Sequence, residues 1–411
     1  MAENHLFPVG ESRTASWQRD RQFALLLHFG FLLIGVVTTL LGPILPILAA
    51  RWHLDDAKLG WLFFAQFTGG IIASALSSRL IVQFGLLRLM ACGYAGTAMA
   101  VAWLGISSWA IGLLLVWSSG FALGLTAPAM NLLVAEMNAE RRAAALNILA
   151  FSWALGAVAG PPIIAFFARD GGLVRPLVGL AALLFCVAFL IARRALMDSS
   201  SGPHHRTPDR IDSMRIERSA LRAWASLYGV LTGGLIFIYV GTETAASGWI
   251  ATYALRIGGS TSGFGTMTPS VFWAGLLIGR AVAPAVLHLV SDTLLVLLGL
   301  FMAGAGLLII LLGSNLTSIV FGVGLTGLGS APVFPTTFAI FTRFFGRRAS
   351  QLIGSFFVMG GLGGALIPWL VGIISGRFGD LRVGLLVPLF GVASMIVLQI
   401  AIIWVLARRH S

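Results

Sequence analysis

The chain has 411 residues, 58% of them hydrophobic and 10% charged, with a formal net charge of +12. An ordinary soluble enzyme, about 25% charged, is excluded, and so is a disordered chain, which needs low hydrophobicity. The mean hydropathy of +0.93 points to an all-α polytopic membrane protein, since at about 20 apolar residues per span there is room for roughly a dozen spans.

The first stretch is polar and carries Arg13, Arg19 and Arg21. The apolar run that follows, 23–50, is too long for a signal-peptide core of about 7–15 residues, so it is expected to be an uncleaved first helix. Breaks at charged or Gly/Pro/Ser-rich points then divide the chain into twelve spans. They are 23–50, 57–80, 87–107, 110–137, 143–168, 173–194, 222–247, 262–288, 292–312, 315–341, 350–374 and 382–407. Both termini fall on one side. Of the 27 Lys and Arg residues, 20 lie in the segments on that side. The positive-inside rule therefore predicts a multi-pass protein of the cell (inner) membrane with cytoplasmic termini. The same rule accounts for the basic balance without nucleic acid as a partner.

This division predicts a cytoplasmic tail at 1–22, a six-helix half at 23–194 and a cytoplasmic linker at 195–221. A second six-helix half at 222–407 and a short tail at 408–411 complete it. The linker is rich in Ser and charge and contains His204-His205, a solvated pair rather than a metal site. Cys92 and Cys186 lie in apolar runs, with neither metal-ligand spacing nor a disulfide framework. No metal or other cofactor is expected.

The two halves repeat. At a shift of about 205 residues Gly60 and Gly70 fall on Gly265 and Gly275, and Gly120 on Gly324. Ala127-Pro128 falls on Ala331-Pro332, Arg141-Arg142-Ala143 on Arg347-Arg348-Ala349, and Pro161 on Pro368. Parallel repeats related by an axis along the membrane normal are an arrangement found in transporters, with a midplane site between the halves. Pro161 and Pro368 are expected to bend spans five and eleven at matching places and so to take part in gating. The 50 glycines, about 12% against the usual 7%, suit close helix approach. They include Gly120-x-x-x-Gly124, Gly156-x-x-x-Gly160 and the run 360–364.

An ionisable residue inside a span is a functional candidate. Of the 15 acids, Glu243 is the one expected well within a span, the seventh; the others fall in tails, loops or span ends. A carboxylate there can carry a proton or accept hydrogen bonds from hydroxyl groups. Tyr239, Trp249, Trp273, Trp153, Asn131, Gln66 and Thr38 add polar groups and aromatic plates suited to a polyhydroxylated ligand. Each also has a structural reading: Trp and Tyr as interfacial belts, Asn131 and Gln66 as glue between helices. Arg280, near the inner end of the eighth span, either snorkels to phosphates or pairs with an acid at a gate. His28 is read as a hydrogen-bonded structural residue.

The segment Gly241-Thr242-Glu243-Thr244-Ala245-Ala246-Ser247-Gly248-Trp249 resembles the seventh-helix signature of the sugar-transporting branch of the major facilitator superfamily, which includes fucose and glucose permeases. Phe272-Trp273-Ala274-Gly275-Leu276-Leu277-Ile278-Gly279-Arg280 is similar to its eighth-helix signature. Ser330-Ala331-Pro332-Val333-Phe334-Pro335 and Ile367-Pro368-Trp369 also look similar. The resemblance implies the major facilitator fold, with Glu243 as the family's seventh-helix acid and Trp249 as its following aromatic. It also implies a sugar moved with protons or, in some members, sodium. The loop 82–88 lacks the acid of the superfamily's Asp-Arg-x-Gly-Arg pattern, and the first helix has no acid.

The expected function is therefore secondary active transport of a sugar or sugar-like neutral solute by alternating access, coupled to protons through Glu243, in a monomer surrounded by lipid. Export of hydrophobic compounds is the alternative, given 28 Phe and 11 Met that suit an adaptable apolar cavity. A receptor that keeps the transporter fold without transporting is a third reading. Neither a catalytic constellation nor a phosphate-cradling loop is present in the sequence, so an enzyme is not expected.

Overall fold

The computed structural model describes residues 11–138, 140–168, 172–197, 224, 226–258, 265–346 and 349–410. The first half runs through α1 (Glu11–Thr38), α2 (Leu41–Trp52), α3 (Asp56–Phe84), α4 (Leu86–Leu104), α5 (Trp109–Met137), α6 (Arg142–Phe167) and α7 (Val174–Met197). The second runs through α8 (Leu227–Gly258), α9 (Thr268–Val286), α10 (Asp292–Leu312), α11 (Leu316–Ser330), α12 (Val333–Phe345), α13 (Ala349–Phe378), α14 (Leu381–Gly384) and α15 (Leu386–His410). Among the described residues twelve segments are long and apolar enough to cross a membrane. Large apolar side chains such as Leu25, Leu114, Phe189, Phe321 and Phe390 stay exposed, as lipid-facing positions must.

Several boundaries differ from the sequence expectation, among them the end of the seventh span, where α8 runs on to Gly258 past the expected 247 because 249–257 hold no Gly or Pro. Helix α1 begins at Glu11 instead of residue 23, because residues 11–22 contain no Gly or Pro and several good helix formers. The first span breaks between α1 and α2, where Pro43 and Pro46 cannot donate to the carbonyls of Thr39 and Gly42. The tenth breaks between α11 and α12 for the same reason, at Pro332 and Pro335. Helix α15 continues through residues expected to be tail, to His410. The linker, with His204 and His205, lies outside the described residues apart from Ala195–Met197, which close α7.

The repeat seen in the sequence reappears as packing. In the first half α1 packs on α6, α3 on α5, and α4 on both α5 and α7. In the second, six spans later, α8 packs on α13, α9 on α11, and α10 on both α11 and α15. The matched glycines meet in both halves: Gly70 lies against the Gly120 carbonyl and Gly275 against the Gly324 carbonyl. A Cβ at Gly275 would collide with that carbonyl, so this crossing needs a small residue, whereas at Gly70 a Cβ would make an ordinary contact. Gly60 and Gly265 do not share a role: Gly60 faces Trp369 and Gly372 in the other half, whereas Gly265 faces Leu255.

The prolines within spans free carbonyls that other helices take up. Pro128 leaves the carbonyl of Gly124 without its helical donor, and Ser74 Oγ on α3 donates to it at 3.3 Å. Pro162 does the same for Val158, whose carbonyl accepts from Ser270 Oγ on α9 at 2.7 Å. The second of these bonds joins the two halves. A freed carbonyl in hydrocarbon must find such a donor.

The halves meet through α3 on α13, α2 on α8 and α6 on α9. The close contacts lie toward the membrane face opposite the termini, called the far end below. There Gly60 approaches Gly372, Ala57 approaches Gly376, and Gly42 approaches Ser247 and Gly248. The glycine run on α13 serves both partners: Gly363 lies on Phe237 of α8, while Gly361 and Gly364 lie on Ile71 and Phe67 of α3.

Candidate functional site

A cavity of about 250 Å³ lies between the halves. The first half contributes Thr38, Thr39, Gln66, Trp153 and the rings of Phe63 and Phe67; the second contributes Glu243, Thr244, Ser247, Trp273, Arg280 and Phe334. The pseudo-symmetric packing produces this convergence, since spans one, two and five of one half face spans seven, eight and ten of the other.

Glu243 and Arg280 are the ionisable residues on the wall. The sequence puts Arg280 near the inner end of its span. In the structure it lines the same cavity as Glu243, as the one basic residue among the described residues of the wall. Arg280 Nε is buried and has no hydrogen-bond partner among the described residues. Tyr239 sits one turn before Glu243 on α8, on the same helix face. Its hydroxyl is buried behind the cavity and donates to the carbonyl of Ser330 at 3.0 Å, where α11 ends and its last carbonyls lack helical partners. It thus ties the acid-bearing turn of α8 to the break in span ten.

The aromatic plates come from both halves. Trp153 on α6 and Trp273 on α9 pack edge to face, with ring centroids 5.3 Å apart and an interplanar angle of 88°, a favoured geometry for aromatic pairs. The Nε1 of Trp273 is buried without a partner among the described residues. Gln66 is a buried amide on the wall.

The hydroxyls are differently committed. Thr38 donates to Ile34 O at 2.7 Å, Thr39 to Gly35 O at 3.0 Å, Thr244 to Val240 O at 2.7 Å and Ser247 to Glu243 O at 2.8 Å. Each spends its proton within its own helix, leaving oxygen lone pairs for the cavity.

Several candidates lie elsewhere. Trp249 is fully buried, off the cavity wall. Its Nε1 donates to Pro368 O at 3.0 Å and its ring lies 5.8 Å from that of Phe63, so it joins α8, α13 and α3. Asn131 is on an exposed stretch of α5, where Nδ2 donates to Ala127 O at 2.8 Å. Pro161 and Pro368 are buried within α6 and α13, away from the wall; Pro368 acts through the carbonyl that holds Trp249. His28 meets Ser152 Oγ through Nδ1 at 2.9 Å, a bond between α1 and α6.

One site was not visible in the sequence. Asp56, expected in a loop, opens α3 and is 6% exposed. Arg256 at the end of α8 grips it bidentately, Nη1 to Oδ2 at 2.8 Å and Nη2 to Oδ1 at 2.6 Å. Ser375 Oγ on α13 donates to the same carboxylate. This cluster clamps α3 of one half to α8 and α13 of the other at the far end. Its members are 200 and 319 positions from Asp56, and no local pattern marks them.

Comparison with known proteins adds to this geometry. The family profile of the Major Facilitator Superfamily matches residues 27–297. The human sodium-dependent glucose transporter 1 is 22% identical over 397 residues, covering 87% of this chain and 74% of the relative. Among solved structures, the nucleoside transporter NupG superposes with a TM-score of 0.70 at 12% identity, covering 92% of this chain and 98% of that one. A D-xylose-proton symporter superposes with a TM-score of 0.68 at 16% identity, covering 91% and 96%. At these identities the structural likeness is one of fold.

Proposed function

The chain belongs to the Major Facilitator Superfamily and is a multi-pass membrane transporter, and from that premise we propose that it moves a sugar or sugar-like neutral solute by alternating access, with a proton on Glu243 as the coupling ion. The observation that carries this reading is the meeting of Glu243, Arg280, Gln66, Trp153 and Trp273 around one cavity between the halves. Hydrogen-bonding groups beside aromatic plates suit a polyhydroxylated ring, and a transporter site at the interface of two repeats is reached from either side as the halves rock. The glucose transporter and the xylose-proton symporter among its likenesses support a sugar-like solute and a coupling ion.

In this reading Glu243 takes up and releases the proton, Arg280 stabilises its ionised form, and Tyr239 holds the acid-bearing turn against α11. Trp153 and Trp273 stack on the solute, while Gln66 and Thr38 hydrogen-bond it. Trp249, Pro368 and Pro161 act in closure at the far end, together with the Asp56 clamp. Asn131 contributes from α5 when the halves have rocked. The protein works as a monomer in the cytoplasmic membrane with both termini inside, as its distribution of Arg and Lys favours.

The test is uptake by proteoliposomes under an imposed pH gradient. Sugar accumulation that follows the gradient and disappears in Glu243→Gln supports the reading; full accumulation in that variant refutes the coupling role. Phe63, Phe67 and Phe334 on the same wall favour the second reading, export of hydrophobic compounds. Thermal stabilisation by lipophilic cations and by no sugar would establish it instead.

A further inference from the structure

The polar inventory of the cavity is unbalanced in a way that a neutral solute does not use. The Thr and Ser hydroxyls on its wall have spent their protons on their own helices. The donors left over include the amide of Gln66 and the indole of Trp153, and two stronger or more costly ones beside them: Nε of Arg280 and Nε1 of Trp273 are buried and unpartnered among the described residues. A buried donor without an acceptor is costly, and a guanidinium makes its strongest hydrogen bonds to an anionic oxygen.

The charges on the wall are one acid and one base. Arg280 shares the wall with Glu243, and Tyr239, one turn before Glu243 on α8, gives its hydroxyl to Ser330 O. The other elements that face it across the cavity, α1, α2, α3, α6 and α12, bring uncharged residues to the wall, and α13 and α15, packed on the back of α8, bring none. With Glu243 ionised, the pair is neutral and a bound anion would leave one negative charge in a poorly solvated space. With Glu243 protonated, Arg280 is uncompensated, and a monoanion restores neutrality. Buried charges are tolerated only when paired, so proton and anion bind together.

We propose that the cavity also accepts sugar acids, polyhydroxylated monocarboxylates whose carboxylate is held by Arg280 and Trp273 while Glu243 carries a proton. The solute then enters as an electroneutral pair with its proton. The inference rests on the reading of Glu243 as the proton site and adds a solute class and a role for Arg280 as the anion-binding residue. Because the coupling is thermodynamic, it is reciprocal: the anion strengthens proton binding as much as the proton strengthens anion binding.

The experiment is a binding titration of the purified full-length protein with gluconate and with glucose, from mildly acidic to mildly alkaline pH. Gluconate affinity should fall by about tenfold per pH unit on the alkaline side, the slope of one linked proton, and glucose affinity by less. Glu243→Gln should bind gluconate with no pH dependence, since the amide imitates the protonated acid. Arg280→Gln should weaken gluconate by about 10- to 100-fold. Arg280→Lys, which keeps the charge, should recover part of the loss and shows that the site still folds; size-exclusion profiles check both variants. Gluconate binding that ignores pH in the unaltered protein, or that survives Arg280→Gln undiminished, overturns the proposal. So does binding of glucose with none of gluconate at any pH, a result that leaves the sugar-transport reading standing. Binding of a lipophilic cation with neither glucose nor gluconate overturns both.

Discussion

Glu243 combines three things at the residue scale: a place inside a span, a cavity in front of it and a guanidinium on the same cavity wall. Replacing it by Gln preserves shape and removes the proton, so solute exchange should persist while accumulation against a gradient collapses, as measured by counterflow beside gradient-driven uptake in the same vesicles. Trp249 makes a different case. Its ring carries the seventh-helix resemblance, yet its Nε1 is occupied by Pro368 O and it is fully buried. Trp249→Phe should cost about 1 kcal/mol through the lost hydrogen bond. It should lower the melting temperature and leave solute affinity in the closed state nearly unchanged. A large loss of affinity with no thermal effect would put Trp249 at the solute instead. The acid and its aromatic neighbours were legible because they interrupt an apolar run. Whether each faced the cavity, the lipid or another helix was not, because a helix of 3.6 residues per turn offers every side some of its positions.

At the scale of elements, backbone approach decides which helices can cross. Gly120 sits with its α-carbon side against the Gln66 backbone, where a Cβ would collide with the carbonyl. Gly120→Leu should therefore destabilise by about 3 kcal/mol, in the upper range for overpacking, read as a drop in melting temperature. Unchanged stability would mean that α3 and α5 separate more easily than their packing implies. The Asp56–Arg256–Ser375 cluster is the element-scale counterpart of a latch. Asp56→Asn keeps the Ser375 and Arg256 neighbours but removes the charge, and should weaken far-end closure by about 2 kcal/mol, the scale of a hydrogen bond to a charged group, discounted for the exposed side of Arg256. Single-cysteine labelling at the far end, in a background with Cys92 and Cys186 replaced, should then speed up. Labelling that stays at the original rate would make the cluster ornamental to closure. The sequence placed Asp56 and Arg256 in loops because both lie at span ends, and only the approach of α3 to α8 and α13 makes them a unit.

For the whole molecule, the recurrence of the same helix pairings six spans apart supports two halves that behave as repeats. Co-expression of the chain cut within the 195–221 linker should restore a complex with the thermal stability and uptake of the intact protein to within a few-fold. Failure of the halves to associate would show that the linker does more than join them. The symmetry is imperfect where chemistry is needed. Pro128 lies inside a continuous α5, whereas its counterpart Pro332 ends α11, because Pro335 follows and removes a second donor from the same turn. That break leaves Ser330 O free for Tyr239, within the half that carries both the acid and the base of the cavity.

The fold class, the number of spans, the internal repeat and the candidate acid can all be read from the amino-acid chain alone. Each of these depends on composition or on short-range pattern: apolar runs long enough to span hydrocarbon, breaks where Gly, Pro and charge cluster, and one carboxylate where lipid would otherwise be. The tertiary structure decided which residues share a cavity and which share a latch. Glu243 shares a cavity wall with Arg280, Gln66 and Trp153, while Asp56 pairs with Arg256, because helices distant in the chain cross at glycines and bring single faces together. That choice of face depends on the packing of all twelve spans at once, and no window of sequence contains it.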